Sequence, residues 1–319
     1  MTNDVFILAE HLGGKLADIT HEMAGQARAL AAAFGGRAVA VLLGGGPELA
    51  GRIGADAVLA VDDPALAEFN PEAYSRVLTA LIKARAPRLV MLGNTSMGMD
   101  LAAGLSVTTG LPLIAYVNGL AAADGTLVAT SQLYGGKIRA EAVPDGGACI
   151  VTCLAGAFPA EAGQGSAPVE TIPSPVPLSD LKVRFIRLIE PEAGDVDITQ
   201  QPILVSIGRG IGGAENVELA QELAEALGGA VSASRPVTDA GWLPKTRQVG
   251  KSGLSVKPKL YLALGISGAP EHLEGMRAAE TIVAVNTDPQ APIFGVAHFG
   301  AVCDILDLMP ALTEKLKGA

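Results

Sequence analysis

Short apolar runs alternate with amphipathic stretches along the first ninety residues. Residues 5–9, 38–43, 57–61 and 89–92 are brief, almost wholly apolar runs bounded by Gly, Pro or charged residues, the pattern of strands covered on both faces. Between them, residues 20–34 and 71–85 space their apolar positions at helical intervals. Strands separated by helices predict a parallel sheet with helices on both sides. From Leu113 to Leu154 the pattern changes to strands in succession. Residues 127–133, 138–143 and 148–154 are separated by Gly-Gly or Pro-Asp-Gly-Gly turn signals, which predicts antiparallel additions at an edge of the sheet.

A Pro-, Gly- and Ser-rich stretch follows at 158–179, with Pro159, Pro168, Pro173, Pro175 and Pro177. It reads as connector rather than core. One more strand is expected at 182–189, then a polar segment at 190–201, and the α/β pattern restarts at Pro202. At 319 residues the chain is long enough for two domains. The boundary is placed at 196, giving an N-terminal α/β domain over 1–196 and a second α/β domain over 197–319.

Composition narrows the function classes. Hydrophobic residues make up 49% and charged ones 18%, so the chain builds well-packed cores. A net charge of −10 argues against a nucleic-acid binder that tracks phosphates. No apolar stretch reaches the roughly 20 residues that span a bilayer, and Met1-Thr2-Asn3-Asp4 lacks the basic start of a signal peptide. The expectation is a cytoplasmic protein that is not itself in the membrane. Cys149 and Cys153 lie four apart in a strand-like run and are expected to face one side as buried thiols.

The strongest local motif opens the second domain. A buried strand at 203–207 runs into Gly208-Arg209-Gly210-Ile211-Gly212-Gly213, and a helix is expected from about 214 to 227. Gly208, Gly210 and Gly213 fit G-x-G-x-x-G between strand and helix. Such glycines let backbone amides approach a pyrophosphate at a helix N-terminus, and Arg209 offers a bidentate hold on phosphate. The next strand, 230–233, ends in Ser234-Arg235, where a nicotinamide site carries Asp or Glu on the ribose. Either the ligand is NADP, with Arg235 on its 2′-phosphate, or it is not a nicotinamide cofactor. A second small-residue loop, Gly93-Asn94-Thr95-Ser96-Met97-Gly98, also follows a strand and opens a helix.

Four further blocks resemble the electron transfer flavoprotein alpha subunit, in that family's order. They are Ala233-Ser234-Arg235-Pro236-Val237-Thr238-Asp239-Ala240-Gly241-Trp242, Arg247-Gln248-Val249-Gly250-Lys251-Ser252-Gly253, 260–269 with Gly265-Ile266-Ser267-Gly268-Ala269, and Val285-Asn286-Thr287-Asp288-Pro289. The first half resembles the family mainly through its alternating pattern and its opening Val5-Phe6-Ile7-Leu8-Ala9-Glu10. The resemblance implies a Rossmann-like FAD-binding C-terminal domain and a heterodimer with a beta subunit. It also implies electron transfer from dehydrogenases to a quinone oxidoreductase or a similar acceptor. Because a Pro-rich connector joins the two halves, residues 1–196 are expected to form the main contact with the beta subunit.

Site residues carry over position by position as expectations. Arg209 and Gly210 match the Gly-rich loop, and Ser234 and Arg235 match the pair beside the flavin. Gln248, Val249, Gly250, Lys251 and Ser252 match the segment that wraps the ring. Gly265, Ser267, Gly268, Ala269, Pro270, Glu271 and His272 match the loop from phosphates to ring. Asn286 and Asp304, with Asp288 and Ile305 beside them, match the AMP half. Three positions depart from the family pattern: Lys251-Ser252 replaces Gln-Thr, Pro270-Glu271 replaces Ile-Gln, and His298 replaces an acid. For one-electron work, a flavin ring needs fixed positive charge and hydrogen-bond donors around it. Arg235 supplies the charge, Ser252 a hydroxyl toward N5, and His272 a donor toward the C2 carbonyl. The rival NADP-dependent oxidoreductase lacks a Tyr-Lys or His-Asp constellation at useful spacing in the second domain.

Overall fold

The computed structural model describes residues 1–163, 167–188 and 196–318. The chain divides into two compact units, residues 1–187 and 188–319, each α/β with its own sheet. The expected boundary at 196 falls inside the second unit. Residues 190–195 of the expected polar segment at 190–201 lie outside the described residues.

In the first unit the strands are β1 (Val5–Leu8), β2 (Ala38–Leu43), β3 (Ala57–Asp62), β4 (Leu89–Gly93), β5 (Leu113–Ala123), β6 (Thr126–Leu133), β7 (Ile138–Ala142), β8 (Cys149–Cys153) and β9 (Val169–Pro173). Among the described residues they form one sheet in the order β9-β3-β2-β1-β4-β8-β5-β6-β7. Strand residues alternate between two cores. Val5 and Ile7 of β1 face helix α1 (Asp18–Phe34), through Met23, Ala27 and Leu30. Phe6 and Leu8 face α2 (Pro71–Arg85) and α3 (Ser96–Thr109), through Tyr74, Leu78 and Leu101. Local chemistry fixes the helix starts: Asn70 caps α2 by accepting from Glu72 and Ala73 amides, and Thr95 caps α3 by accepting from Gly98.

Three expectations need correction here. Residues 148–154 are not an edge addition: β8 lies between β4 and β5, parallel to both. Its five residues are all buried, and such a strand needs neighbours and cover on every side. The antiparallel additions are β6, where buried and more exposed positions alternate, and β7, where no position is buried. The Pro-rich stretch is more than connector, because β9 pairs parallel with β3 at the sheet edge, where Pro173 is tolerated at the strand's end; residues 164–166 within it lie outside the described residues. The third correction concerns 182–189. Residues 183–188 form no strand, because side chains of α2 and its cap take the bonds a ladder would use. Glu72 Oε2 accepts from the Lys182 and Val183 amides at 2.7 and 3.1 Å, and Asn70 Nδ2 donates to the Val183 carbonyl.

In the second unit β10 (Ile203–Ile207), β11 (Ala230–Ala233), β12 (Leu260–Leu264), β13 (Thr281–Asn286) and β14 (Phe299–Val302) form an all-parallel sheet in the order β11-β10-β12-β13-β14. Val205 and Ile207 face α4 (Val217–Leu227). Beyond α4, the sequence supplies two short helices, α5 (Arg235–Asp239) and α6 (Pro270–Met276), and the long α7 (Ile305–Lys317). α7 packs on the α4 side through Ile305 and Met309, while Leu306, Leu308 and Leu312 are less fully buried. α7 begins at Ile305, since Val302 ends β14 and Asp304 caps the helix. The other face packs Leu204 and Tyr261 against Leu273 and Met276 of α6. No helix among the described residues is long and apolar enough to cross a membrane.

Candidate cofactor site

Strand order reverses in the second sheet between β10 and β12, and ligands of doubly wound sheets bind beyond the carboxyl ends of strands at that point. The loops leaving β10, β11, β12, β13 and β14 at that edge carry nearly every expected site residue.

The Gly-rich loop is built differently from the expectation. The Gly208 amide donates to the Leu264 carbonyl (2.8 Å), Gly210 to Gly265 (3.1 Å), Ile211 to Gly208 (3.1 Å) and Gly212 to Arg209 (3.2 Å). Four amides expected to approach a pyrophosphate are thus spent within the chain. A Cβ on Gly208 would lie 2.2 Å from the Gly265 oxygen, and one on Gly210 would lie 2.7 Å from the Gly265 Cα. These glycines let two loops touch backbone to backbone. The helix also starts later than expected: a 3-10 turn over Ala214–Asn216 precedes α4. Arg209 is exposed at the loop's turn, and its guanidinium makes no ion pair among the described residues.

Beyond β11, Ser234 is buried and Arg235 exposed at the start of α5. Arg235 Nε pairs with Asp239 Oδ2 one turn on, at 3.1 Å. The wrapping segment is tied down at both ends. The Val249 amide donates to Ala233, and the Lys251 amide donates to the Glu271 carbonyl at 2.7 Å. Gly250, at φ +133°, has space for no side chain, since its Cβ would lie 2.8 Å from the Glu271 oxygen. So the structure brings the 248–252 and 270–272 segments together. Gln248 is buried, donating to Ser252 and accepting from Thr238. Ser252 and Lys251 are exposed.

The loop after β12 turns through Gly265 (φ +63°) and Gly268 (φ +87°). Ser267 and Ala269 are exposed or nearly so, and Gly268 abuts Ile293. Pro270 and Glu271 open α6 with both side chains exposed, and His272 follows, 7% exposed. His272 Nε2 lies 3.0 Å from the Tyr261 hydroxyl, which donates to Ser206 Oγ at 2.7 Å. That arrangement makes Nε2–H the donor to Tyr261. His272 Nδ1 is buried without a hydrogen-bond partner. Burial pushes the imidazole pKa down to about 4, against a weaker opposing pull from the Val249 backbone.

The expected AMP-half residues act first as braces. Asn286 Nδ2 donates to the Ile266 carbonyl, and its Oδ1 accepts from the Asp288 amide. Asp288 accepts from Gln290, and Asp304 Oδ1 caps α7 by accepting from Leu306. Ile305 is buried in the core against Gly265, so any contact it makes with a ligand is through backbone; the same holds for buried Val249 and Gly250. His298 Nδ1 accepts the Ile282 amide at 2.9 Å, joining the approach to β14 with β13.

The sequence reading missed Thr238, Ser206 and Tyr261. Thr238 stands three residues after Arg235, a spacing that puts it on a neighbouring turn. Nothing along the chain links it to Gln248. In the first unit, the Gly93–Gly98 loop carries its own anion. Glu10 Oε1 accepts from the Gly93 amide and Oε2 from Thr95 Oγ1, so a carboxylate stands where a phosphate would. Burial raises the Glu10 pKa. Cys149 and Cys153 are buried, and burial pushes the Cys149 thiol up to about 12 and Cys153 up as well.

The side chains fit FAD better than the glycine loop does. Arg209 and Arg235 offer two cations to a dianionic pyrophosphate and an electron-accepting ring, Ser252 an exposed hydroxyl, and His272 an unpartnered nitrogen. Comparison with known proteins agrees. Residues 5–177 match the family model of the electron transfer flavoprotein domain, and residues 197–277 match the electron transfer flavoprotein FAD-binding domain. The electron transfer flavoprotein subunit alpha of Thermoanaerobacterium thermosaccharolyticum is 36% identical over 98% of both chains. The protein FixB of Clostridium saccharobutylicum is 35% identical, covering 98% of this chain and 96% of that one. The corresponding alpha subunit of Megasphaera elsdenii is 36% identical over 98% and 96%. With two family models in order and near-complete coverage by such relatives, the chain belongs to the electron transfer flavoprotein alpha subunit family, and the cofactor of its C-terminal domain is FAD.

Proposed function

We propose that this chain carries electrons on FAD held at the carboxyl edge of β10–β14, paired with a beta subunit as its family membership implies. The observation that carries the reading is the gathering of Arg209, Arg235, Ser252 and the unpartnered Nδ1 of His272 at that one edge. Taking up and releasing electrons singly is the flavin's own chemistry. Arg209 holds phosphate. Arg235 holds positive charge beside the ring, and Ser252 donates toward N5. Tyr261 orients His272: when its hydroxyl turns to donate to Nε2, Nδ1 carries the proton and donates to the C2 carbonyl. Asn286, Asp288 and Asp304 shape the AMP end. The electron donors are dehydrogenases, the acceptor is a quinone oxidoreductase, and the complex works in the cytoplasm with residues 1–196 against the beta subunit.

A visible spectrum of the chain purified with its partner tests the reading. Flavin bands with FAD released on denaturation support it, whereas a bound nicotinamide absorbance would put the NADP-dependent oxidoreductase in its place. A sharper test uses the Arg235–Asp239 pair. Both side chains are more than half exposed, so water and Asp239 temper the cation. Arg235→Ala is expected to lower the first flavin potential by roughly 45 mV, about 1 kcal/mol for one electron. Asp239→Asn is expected to raise it, by freeing the guanidinium. Anaerobic reductive titration measures both, and shifts of the same sign in the two variants exclude a charge effect at this pair.

A further inference from the structure

Ser252 reaches solvent with its hydroxyl oxygen already accepting a hydrogen bond, and that bond is the end of a buried chain. Gln248, 4% exposed, donates from Nε2 to Ser252 Oγ at 2.9 Å. Its Oε1 accepts from Thr238 Oγ1 at 2.6 Å. Thr238, 6% exposed, sits on α5, and its hydroxyl also lies 3.0 Å from the Arg235 carbonyl. A hydroxyl has one proton, so Thr238 commits to a single acceptor, and the Gln248 contact is the shorter.

That commitment decides how the amide lies. With Thr238 donating, the Gln248 oxygen faces Thr238 and the nitrogen faces Ser252. Ser252 then accepts inside the protein and keeps its own proton for a group outside. With Thr238 donating to Arg235 instead, the amide turns over, Ser252 donates inward to Gln248 Oε1, and it presents a lone pair outward. The two arrangements offer a ligand hydrogen bonds of opposite polarity. Burial makes the choice firm, because an unmatched amide group here is costly to leave without a partner.

We propose that Thr238 is a positioning residue that acts through Gln248 to hold Ser252 as a hydrogen-bond donor toward the flavin ring. The proposal rests on the reading above that places FAD at Ser252. A donor binds the ring more tightly as the ring gains negative charge, so removing the Thr238 hydroxyl weakens the reduced side. Valine at 238 keeps the shape but leaves the amide without a fixed direction.

The test uses the full chain co-purified with its partner subunit, comparing wild type, Thr238→Val, Thr238→Ser, Ser252→Ala and the Thr238→Val/Ser252→Ala double variant. The readouts are the first midpoint potential and the absorption bands of the bound flavin, with thermal unfolding as a check on the fold. Thr238→Val and Ser252→Ala are each expected to weaken uptake of the first electron about tenfold, a fall of about 59 mV. Thr238→Ser is expected to match wild type, and the double variant to match Ser252→Ala alone. A Thr238→Val shift that persists in full without the Ser252 hydroxyl overturns the relay. A shift in Ser252→Ala with none in Thr238→Val also overturns the relay, while leaving the flavin reading intact. Absence of flavin from the wild-type complex overturns that reading, and the relay falls with it. Should the valine variant not fold, Thr238→Ala carries the same comparison.

Discussion

Lowering the pH of flavin-free protein from 7 to about 4 is expected to cost the C-terminal unit about 3 kcal/mol of stability through His272 alone. Burial holds this imidazole neutral in the fold, with a pKa pushed from the ordinary 6.5 to about 4. Below pH 6.5 the unfolded chain takes up a proton that the folded one refuses. Stability is therefore complete above 6.5 and drains away as pH falls toward 4, by about 1.4 kcal/mol for each step of one in pH. Glu10 in the first unit runs the other way. Burial raises its pKa, so its contribution is complete in acid and declines as pH rises through the raised value. Denaturant midpoints at pH 7 and pH 4.5, for wild type and His272→Gln, isolate the effect. The variant keeps a side-chain amide for Tyr261 and should show a much flatter pH response. Parallel losses in both proteins would mean that His272 is not the group responsible. Added FAD should flatten the wild-type response too, if its carbonyl accepts a hydrogen bond from Nδ1–H of the protonated ring and raises its pKa.

Gly208→Ala is expected to destabilise the same unit by about 3 kcal/mol, the upper end for forced overpacking, and to strip FAD during gel filtration. The new Cβ would lie 2.2 Å from the Gly265 oxygen, 2.7 Å from its carbonyl carbon and 2.8 Å from the Ile266 Cα. All three are backbone atoms, so no flexible side chain can swing aside. Either the 208–213 loop or the 265–269 loop must move, and each carries expected flavin contacts. Gly295→Ala is the control: it has open space and no positive φ, and should stay within about 0.5 kcal/mol of wild type. Unfolding of the flavin-free proteins discriminates the two roles of the glycine. If Gly208 served only to admit a pyrophosphate, alanine would weaken FAD retention and leave the apoprotein's stability unchanged.

Much of the molecule was legible along the chain, because burial leaves a one-dimensional trace. A strand covered on both faces must be apolar throughout, which located β2 and β10 to the residue, and the helical spacing of apolar positions did the same for α2. The ordered blocks at 233–253, 260–269 and 285–289 carried the family and, with it, FAD. What the sequence could not express was partnership between distant positions. β8 reads like the hairpin strands before it, yet sits inside the sheet, because only the assembled sheet has a gap that its fully buried residues fit. The 182–189 stretch reads as a strand, yet Glu72 and Asn70 take its backbone bonds. Gly208 and Gly210 match a phosphate-binding pattern, but their amides are spent on Leu264 and Gly265, more than fifty residues along the chain. The Thr238–Gln248–Ser252 and Ser206–Tyr261–His272 chains likewise join residues with no shared periodicity. The sequence alone therefore determined the α/β class and most of its strands and helices, since each depends on nearby residues and on solvent exposure. Tertiary structure alone decided which hydrogen-bonding groups remain for a ligand, since that depends on every donor and acceptor the fold brings within about 3 Å.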